Sequence, residues 1–333
     1  MLWSVGALKV AEGRSPGRRW LDLPRPRRIT GVAPADTLLL RSTSLAATAW
    51  GITVFDAGDS RLKAFDWAGR PQWRAGRAGG GPGEFRLVTD LAGRGGEFWV
   101  LDEGNGRIGV YAANGARLRE ITTSRPLLRM GLFPDGSLLG RSEFDAYPRL
   151  YAGAAREGQP LPPPAWLADA GPLEAESWLS EAGSRGVLLS FRWSSRLQLV
   201  DRQGREVWSV PGVDPVPFPR VADVKRSVNG RDIVVRRVAP DARTATIAAA
   251  VDGERVYVLR AGPERRLRGT VLDVYALADG SYCGSARLEV ELQSLAAHGG
   301  RLALLAPEPS PHVLVMAAPT TTCPSSAPSR GRR

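Results

Sequence analysis

The sequence predicts an all-β protein made of repeated four-stranded units, and three observations support this fold class. A segment repeats: Asp56–Gly69 reads DAGDSRLKAFDWAG, and forty-six residues further on Asp102–Gly115 reads DEGNGRIGVYAANG. Short runs rich in Val, Leu, Ile and aromatic residues alternate with Gly and Asp-Gly turns, which is the pattern of β-strands. No long segment keeps a helical period. A self-match at this period is typical of a β-propeller, in which four-stranded antiparallel sheets surround a central channel, and the chain predicts six such blades.

The first two units carry the repeat most clearly. In both copies an Arg follows the Asp by five residues, and a Gly follows that Arg by eight. We expect strands near 45–50, 52–56, 61–66 and 72–75 in the first unit, and near 88–92, 98–102, 108–112 and 117–121 in the second. Asp and Asn side chains commonly bond to nearby backbone groups in turns, so we interpret the repeated positions as structural. They are Asp56, Arg61, Gly69, Asp102, Asn105, Arg107 and Gly115.

The third and fourth units follow with less regularity. The third runs from Leu127 through the turn Pro134-Asp135-Gly136, with strands near 137–141 and 149–152. A proline-rich insertion, QPLPPPAW at 159–166, is then expected to leave the sheet, because proline cannot donate to a strand ladder. The fourth unit returns to the template, with Arg196 followed by Gly204 after eight residues and a Trp four residues beyond.

The last units determine how the ring closes. The fifth holds strands near 246–251, 255–259, 271–277 and 281–288, whereas the sixth has only three, near 294–297, 301–306 and 312–317. We therefore expect a strand from residues 20–32 to complete the sixth blade. A seventh blade would have to lie in 211–243, which is too rich in Pro and Arg for four regular strands. The predicted domains are an N-terminal extension at 1–19, the propeller at 20–318 and a disordered Ser/Pro/Arg tail at 319–333.

The charge of the chain is strongly positive without a focused nucleic-acid signature. The formal net charge is +11, yet only three of the 45 basic residues are lysine, and the arginines are scattered through turns and strand ends. This pattern favours a generic attraction to anionic surfaces, such as lipid headgroups or acidic glycans, over nucleic-acid binding. An RNA-binding propeller is the third hypothesis for the function, and it requires the arginines to gather on one face.

Two cysteines, Cys283 and Cys323, leave two alternatives. They are either separate thiols or a disulfide that ties the C-terminal tail to a late strand, and a disulfide would require an oxidising compartment. With no CxxC pair and only two histidines, no zinc site is predicted at the usual spacing. The sequence shows no recognisable signal peptide and no window that approaches the length of a membrane-spanning helix. We expect an extracytoplasmic protein, in the periplasm or at the cell surface, with the cytoplasm as the alternative.

One part of the chain resembles an NHL repeat. The resemblance rests on Gly81-Pro82-Gly83-Glu84-Phe85, on TDLA at 89–92 and FWVLD at 98–102, and then on Asn105, Arg107, Ile108, Tyr111 and Gly115. It covers roughly residues 50–123. Gly106 stands where the family often has His or Arg, and the later units keep only the apolar skeleton. The chain thus looks like the bacterial six-bladed propeller proteins of the NHL-repeat-like superfamily, a fold that hosts binding modules, lyases and hydrolases.

The resemblance also implies a metal-assisted alternative. Propellers that resemble gluconolactonases hold an ion in the central channel with Glu, Asn and Asp from different blades, and the candidate metal ligands here are Glu84, Asp90 and Asp223. Calcium would be the ion. Lyases of amidated peptides resemble this fold too, but they need metal-binding histidines on several blades, whereas both histidines of this chain lie in the last unit. No catalytic residue and no cofactor is predicted, and the sequence has no GxSxG elbow.

The favoured function is non-catalytic binding of a protein, a small molecule or a glycan by one face of a rigid ring at the bacterial cell envelope, with the protein as a monomer. Loops that leave a regular scaffold carry function more often than its strands do. The candidate binding loop is the proline-rich insertion, with Pro162, Pro163 and Trp166, although the insertion could equally be an inert excursion. The alternative function is a metal-assisted hydrolase or lyase with carboxylates at the central channel.

Overall fold

A computed structural model describes residues 17–30, 39–153, 155–228, 231–261 and 269–324. These residues form strands and three single-turn 3-10 helices, with no α-helix among them. None of the helices in this part of the chain is long and apolar enough to cross a membrane. The strands make six four-stranded antiparallel sheets and one separate two-stranded hairpin. The predicted six-bladed β-propeller is therefore confirmed.

The blades follow one another along the chain, and the strands of each blade run in order from the centre of the ring to its rim. The strands are β1 (Arg27–Arg28), β2 (Ser42–Thr48), β3 (Gly51–Asp56), β4 (Arg61–Phe65), β5 (Pro71–Ala75), β6 (Val88–Arg94), β7 (Glu97–Asp102), β8 (Arg107–Ala112), β9 (Arg117–Thr122), β10 (Arg129–Leu132), β11 (Leu138–Arg141), β12 (Arg149–Tyr151), β13 (Gln159–Pro160), β14 (Ser177–Glu181), β15 (Val187–Phe191), β16 (Leu197–Val200), β17 (Glu206–Val210), β18 (Val221–Val228), β19 (Arg231–Val238), β20 (Thr246–Asp252), β21 (Arg255–Arg260), β22 (Gly269–Ala276), β23 (Tyr282–Leu292), β24 (Ser294–His298), β25 (Arg301–Ala306) and β26 (His312–Ala317).

The ring is closed by a strand from the N-terminal part of the chain. β1 pairs antiparallel with β26, so that Arg27 lies opposite Val315 and Arg28 opposite Leu314. β1 thus supplies the outermost strand of blade six, and the predicted closure from residues 20–32 is confirmed. Within the described part of 211–243, β18 and β19 form a single hairpin instead of a seventh blade.

The hydrophobic core is divided among the six contacts between neighbouring blades. Ile52 of blade one packs with Leu305 of blade six, and Phe55 of blade one packs with Val100 of blade two. Four further clusters join blades two to three, three to four, four to five and five to six. Both faces of each sheet are therefore covered by its neighbours, which removes apolar surface from water all round the ring.

The two ends of the ring differ in the connections that they carry. Short turns join the first strand of each blade to the second, and the third to the fourth, at one end, which we call the turn face. The opposite end, the loop face, carries the loops between second and third strands and the connectors between blades. Two long connectors leave the loop face, 161–176 before blade four and 211–245 before blade five. The second contains the β18–β19 hairpin, which we call the arm.

Buried carboxylates at the repeated Asp positions hold the connectors in place. Asp56 is fully buried and accepts a hydrogen bond from the backbone N–H of Leu40 at 2.7 Å. Asp102 accepts from the backbone N–H of Leu87 at 3.0 Å and from Asn105 Nδ2 at 2.6 Å. Both Leu residues lie just before the first strand of the same blade. Each carboxylate therefore fixes the point at which the chain enters its blade.

The Gly-Pro-Gly segment is the connector between blades one and two. Arg107 Nη2 donates to the carbonyl oxygens of Gly81 at 2.6 Å and Glu84 at 2.7 Å. Asn105 Nδ2 donates to the carbonyl oxygen of Gly79 at 3.0 Å. The polar residues of the repeat thus donate hydrogen bonds to backbone carbonyl groups of a connector that does not pair with a strand of either blade.

A repeated tryptophan and glycine meet across blade interfaces. Trp73, on the outer strand of blade one, lies against Gly115 of blade two, where a Cβ atom would come within 2.6 Å of the indole. Trp73 Nε1 also donates to the carbonyl oxygen of Ala113 at 2.6 Å. Trp208 of blade four makes the same contact with Gly280 of blade five. The glycine of the repeat is therefore required both by the turn and by the close approach of the next blade.

Both ends of the described chain run along the outer strand of blade five. Cys283 in β23 and Cys323 are joined by a disulfide. On the N-terminal side, the backbone N–H of Leu21 donates to the carbonyl oxygen of Ser285 at 2.8 Å. The disulfide holds residues 319–324 of the predicted tail against the blade, while 1–16 and 325–333 lie outside the described residues.

A matched pair of substitutions can separate two reasons for glycine at position 115. One is the close contact with Trp73, and the other is the positive φ of the backbone. Gly115 has φ +84° and Gly136 has φ +87°, but nothing lies within 4 Å of a Cβ atom at Gly136. We expect Gly136→Ala to lower the free energy of unfolding by ~1 kcal/mol, since only backbone strain is added. Gly115→Ala should lower it by ~2–4 kcal/mol, because the indole must also move. Urea unfolding curves measure both values, and equal losses would contradict the proposed contact.

Candidate functional site

A channel runs along the axis of the ring and is lined by the first strand of every blade. Its cavity has a volume of about 390 Å³. Much of the wall is small or apolar, as at Ala46, Ala92, Ala250 and Ala296. Among the described residues, the charged members of the lining come from blades two, three and four; they are Asp90, Arg129 and Glu181. The charged groups of the described lining are therefore concentrated on one side of the channel.

Three blades are tied together where the channel opens on the loop face. The guanidinium carbon of Arg129 lies 4.0 Å from the ring centroid of Trp178, which is the geometry of a cation–π contact between blades three and four. Arg129 Nη1 donates to the carbonyl oxygen of Thr89 in blade two at 2.9 Å. Asp90 Oδ2 accepts from the backbone N–H of Met130 in blade three at 2.9 Å. This end of the channel is thus a fixed group of one cation, one carboxyl and one indole.

The surroundings act in opposite directions on the two charged groups. Burial raises the pKa of Asp90 to about 6, although Arg129 and two backbone N–H groups favour the carboxylate. Burial lowers the pKa of Arg129, and the carboxyl groups of Asp90 and Glu176 oppose that shift. Each residue is held in its charged form mainly by the other, as expected when two opposite charges share a poorly hydrated wall.

A second carboxyl lies at the turn-face end of the channel. Burial raises the pKa of Glu181 to about 7, and Arg94 opposes the shift. Arg94 Nε lies 3.9 Å from Glu181 Oε1, and its guanidinium also donates to the carbonyl oxygen of Pro134 in blade three. Glu181 Oε2 is buried and has no hydrogen-bond partner among the described residues. Glu181 is therefore a carboxyl that can change its charge near neutral pH.

The loop face carries exposed apolar side chains in blades one to three. Leu40 is 50% exposed, Leu87 is 52% exposed and Phe144 is 67% exposed. They come from blades one, two and three, and we call these three residues the apolar rim. On the same face, burial raises the pKa of Glu103, and the nearby Glu143 carboxylate adds to the shift. The loop face thus combines exposed apolar groups with closely spaced acidic ones.

The proline-rich insertion begins inside the sheet. Gln159 and Pro160 form β13, the outermost strand of blade three, where they pair with Leu150 and Arg149. The expectation that the whole insertion leaves the sheet is corrected here: the chain departs only after Pro160, because an outer strand can accept hydrogen bonds without donating any at a proline. Pro162 and Pro163 are exposed on the connector that follows.

Trp166 is packed against the body and does not present its ring as a free binding surface. Its ring meets Phe191 edge-on with centroids 5.0 Å apart and stacks on Phe218 with centroids 6.4 Å apart. The guanidinium carbon of Arg196, one of the repeated residues, lies 4.7 Å from the same ring. Trp166 therefore anchors the connector 161–176 to blade four and to the base of the arm.

The three predicted metal ligands do not come together. Glu84 lies in the connector before β6 and binds Arg77 Nη2 at 2.7 Å, whereas Asp90 lines the channel. Asp223 is exposed on the arm, 3.6 Å from Arg236. The described residues contain no group of three or more His, Cys, Asp or Glu side chains that could hold a metal ion. The donor set that calcium would need is not assembled by these residues.

Arginines of the described residues form ion pairs in several different blades and at both ends of the ring. Arg119 pairs with Glu97 in blade two at 2.8 Å, and Arg205 pairs with Asp201 in blade four at 2.8 Å. On the turn face, Arg185 reaches Glu254 of the next blade at 2.8 Å. This distribution does not favour an RNA-binding face.

Three of the channel residues, Arg129, Trp178 and Glu181, lie outside every motif in the sequence. They belong to the first strands of blades three and four, which the repeated segment does not include. A signal is present in SWLSE at 177–181, where a carboxylate ends a short strand-like run, but nothing local indicates that this residue faces the channel. Only Asp90 was a candidate from the sequence, and its partners come from neighbouring blades.

Comparisons with known proteins identify the fold. A scan against protein-family models and a search of curated proteins gave no match. Among solved structures, the chain is similar to a virginiamycin B lyase from Staphylococcus aureus, with 10% identity and a TM-score of 0.51 over 88% of this chain and 98% of that chain. It is also similar to a streptogramin B lyase, with 10% identity and a TM-score of 0.51 over 90% of this chain and 98% of that one. A Bacteroides fragilis protein inferred to be exported matches with 9% identity and a TM-score of 0.52, over 90% of this chain and 96% of that one. At such identities the likeness establishes the propeller fold alone.

The raised pKa of Glu181 predicts a dependence of stability on pH. The folded-state pKa of about 7 exceeds the ordinary value of 4.5, so the folded protein retains a proton that the unfolded chain releases. The stabilisation by this proton is complete below the ordinary pKa and is lost as the pH rises from about 4.5 to 7. We therefore expect Glu181→Gln to raise the free energy of unfolding by ~1–3 kcal/mol at pH 8 and to change it little at pH 4.

Urea unfolding between pH 4 and pH 8 measures this difference. Glu157→Gln is the matched control, since Glu157 is exposed on blade three, and it should follow the wild-type profile. Parallel profiles for wild type and Glu181→Gln would show that Glu181 does not titrate near neutral pH.

Proposed function

We propose that this chain is a non-catalytic binding propeller that holds a partner protein on its loop face, across the mouth of the channel. The apolar rim carries the proposal. Leu40, Leu87 and Phe144 come from three successive blades and are each at least half exposed. Large apolar side chains grouped around a polar centre are typical of protein interaction sites.

Polar and charged groups at the channel mouth would make binding at the apolar rim selective for particular partners. Asp90, Arg129 and Trp178 are held in fixed positions by contacts between blades, so they lose little conformational freedom when a partner binds. Glu103 and Glu143 lie beside them. This arrangement suits a partner segment that brings apolar side chains to the rim and a polar or basic group to the mouth.

A metal-assisted hydrolase or lyase is the alternative function. Two of the similar structures are described as lyases, and the channel holds two carboxyl groups with raised pKa values. Glu84, Asp90 and Asp223 do not form its ion site, so this alternative would need a donor set other than the predicted one. A glycan or a small molecule in the channel is the remaining ligand class.

We further infer that the protein is an NHL-like bacterial propeller that works outside the cytoplasm, as a monomer at the cell envelope. The resemblance over roughly residues 50–123 supports the family. The Cys283–Cys323 disulfide supports an oxidising compartment, and one similar structure is that of a protein inferred to be exported.

The rim can be tested with peptides selected from a random display library on the purified full chain. We expect the selected peptides to lose affinity by about tenfold or more with Leu87→Ser and with Phe144→Ser, since each change removes an exposed apolar anchor. Trp50→Ser is the matched control, because Trp50 is 68% exposed but lies on the turn face. Fluorescence polarisation of labelled peptides gives the affinities.

Three results would overturn the binding proposal. Peptides that depend on Trp50 and ignore both rim substitutions would place binding on the wrong face. Calcium-dependent cleavage of lactone or ester substrates, lost with Asp90→Asn, would favour the hydrolase. Tight and strongly salt-dependent binding of single-stranded RNA would favour the RNA-binding hypothesis.

The compartment is tested by the redox state of the cysteines in protein isolated from its native cells. After thiols are blocked at lysis, we expect non-reducing peptide mass spectrometry to recover Cys283 and Cys323 as one linked species, as in an exported protein. Recovery of both cysteines as blocked thiols would instead point to the cytoplasm.

A further inference from the structure

A second pocket lies on the loop face at the base of the arm, between blades four and five and apart from the central channel. Its volume is about 680 Å³, within the range of small-molecule sites. Both ends of the long connector contribute to it, through 214–216 and 243–245. The N-terminal segment adds Arg18 and Trp20, and the edge of blade five adds Arg287. We call this cavity the neck pocket.

The neck pocket is lined by several arginines. Four arginines line it, and Asp214 is the acidic residue of the lining within the described chain; the arginines are Arg18, Arg243, Arg260 and Arg287. Behind the wall lies Asp273, which is fully buried and accepts hydrogen bonds from Arg260 Nε at 3.1 Å and from Arg18. Arg260 is itself only 5% exposed and also donates to the carbonyl oxygen of Ser195 at 3.1 Å. Asp214 and Asp273 are thus taken up by Arg18 and Arg260, and Arg287 stands as an exposed cation of the lining.

Arg287 supplies a cation that no carboxylate of the described residues neutralises. Its side chain is exposed, and in the described part of the chain no carboxylate lies within ion-pair distance of it. Its guanidinium carbon lies 4.5 Å from the ring centroid of Trp20, and that of Arg18 lies 5.9 Å from the same ring. Stacking on the indole holds the Arg287 fork in place, and its N–H groups have no hydrogen-bond acceptor within the described part of the chain.

Trp20 and the opposite wall give the neck pocket an apolar component. Trp20 is 46% exposed although it is fixed by its backbone pairing beside Ser285. Pro215, Val216 and Leu288 line the same cavity. A flat ring could therefore lie between an indole and aliphatic side chains while its charged substituent reaches the guanidinium groups.

We propose that the neck pocket binds a small anion that carries a flat apolar ring, that is, an aromatic carboxylate or an aromatic phosphate ester. The anionic group is held by Arg287, since Arg18 is already paired with Asp214 and Asp273, and the ring contacts Trp20 and the aliphatic wall. Because both ends of the connector line the cavity, a bound ligand touches the base of the arm and blade five at once. The proposal goes beyond the binding of a partner at the apolar rim and does not depend on it.

The test uses the full chain and three probes in isothermal titration calorimetry: phenyl phosphate, inorganic phosphate and phenol. Phenyl phosphate should bind more tightly than either of the other two, since it alone satisfies both halves of the pocket. Arg287→Gln should weaken phenyl phosphate by about tenfold, because a charge-assisted contact is lost. Trp20→Leu should weaken phenyl phosphate by about fivefold and inorganic phosphate by less, because inorganic phosphate loses only the stacking that positions Arg287, whereas phenyl phosphate also loses the ring contact.

The controls are matched in residue type. Arg156→Gln removes an exposed arginine from blade three, and Trp50→Leu removes an exposed indole from the turn face; both should leave all three affinities unchanged. Phe144→Ser should also leave them unchanged, which separates this site from the apolar rim. Thermal unfolding of each variant verifies folding, since Trp20 and Arg287 are both exposed and the buried Arg260 and Asp273 are left intact.

Several outcomes overturn the proposal. Equal affinity for phenyl phosphate and inorganic phosphate would show that the neck pocket does not recognise the aromatic ring. Equal weakening by Arg156→Gln and Arg287→Gln would indicate attraction to the overall positive charge. Absence of heat with all three probes at millimolar concentration, in folded protein, would mean that the neck pocket is not a site for this class of anion.

Discussion

The structure depends on the burial of sheet faces between neighbouring blades. A four-stranded sheet with two apolar faces is stable only when both are covered, and here six separate clusters provide that cover. An open row of such blades would leave one apolar sheet face exposed on the first blade and one on the last. The first and last blades must therefore pack against each other. The closure is short: Arg27 and Arg28 pair with β26, and Thr30 Oγ1 accepts from the backbone N–H of Val313 at 2.7 Å. Two ladder residues suffice because Ile29 also enters the cluster between blades six and one.

This constraint explains how much of the fold the sequence could predict. A strand buried on both faces must keep its apolar residues, so runs such as 98–102 and 301–306 identify strands directly. The turns must keep glycine where the next blade approaches, as at Gly115. The arm was not predicted, because neither of its strands is buried between sheets. Its sequence nevertheless contains Asn229-Gly230 between two runs of alternating character, which is a hairpin signal that the surrounding Pro and Arg residues obscure.

The candidate sites could be predicted much less well, for a geometric reason. Asp90, Arg129 and Glu181 are separated by about forty to ninety residues, and each lies on the first strand of a different blade, so only closure of the ring brings them to one wall. No local pattern distinguishes Asp90, which lines the channel, from Asp223, which lies exposed on the arm. The pKa of each carboxyl is likewise set by burial among strands of other blades. Sequence motifs within one blade indicate residues that build the scaffold. The candidate sites are formed by residues from different blades, so no such motif contains them.

The same topology places every long departure from the repeat on one face. A connector from the rim of one blade to the centre of the next starts and ends at the loop face, so an insertion in a connector enlarges that face and leaves the turn face unchanged. The two long connectors also fix each other, since Trp166 of one stacks on Phe218 of the other. Blades four and five therefore carry added, mutually packed segments, while Leu40 and Leu87 are exposed just before the first strands of blades one and two. Under the proposed binding at the mouth, a partner would meet exposed apolar side chains on one side and the two packed connectors on the other, and this asymmetry would favour one orientation on a nearly symmetric ring.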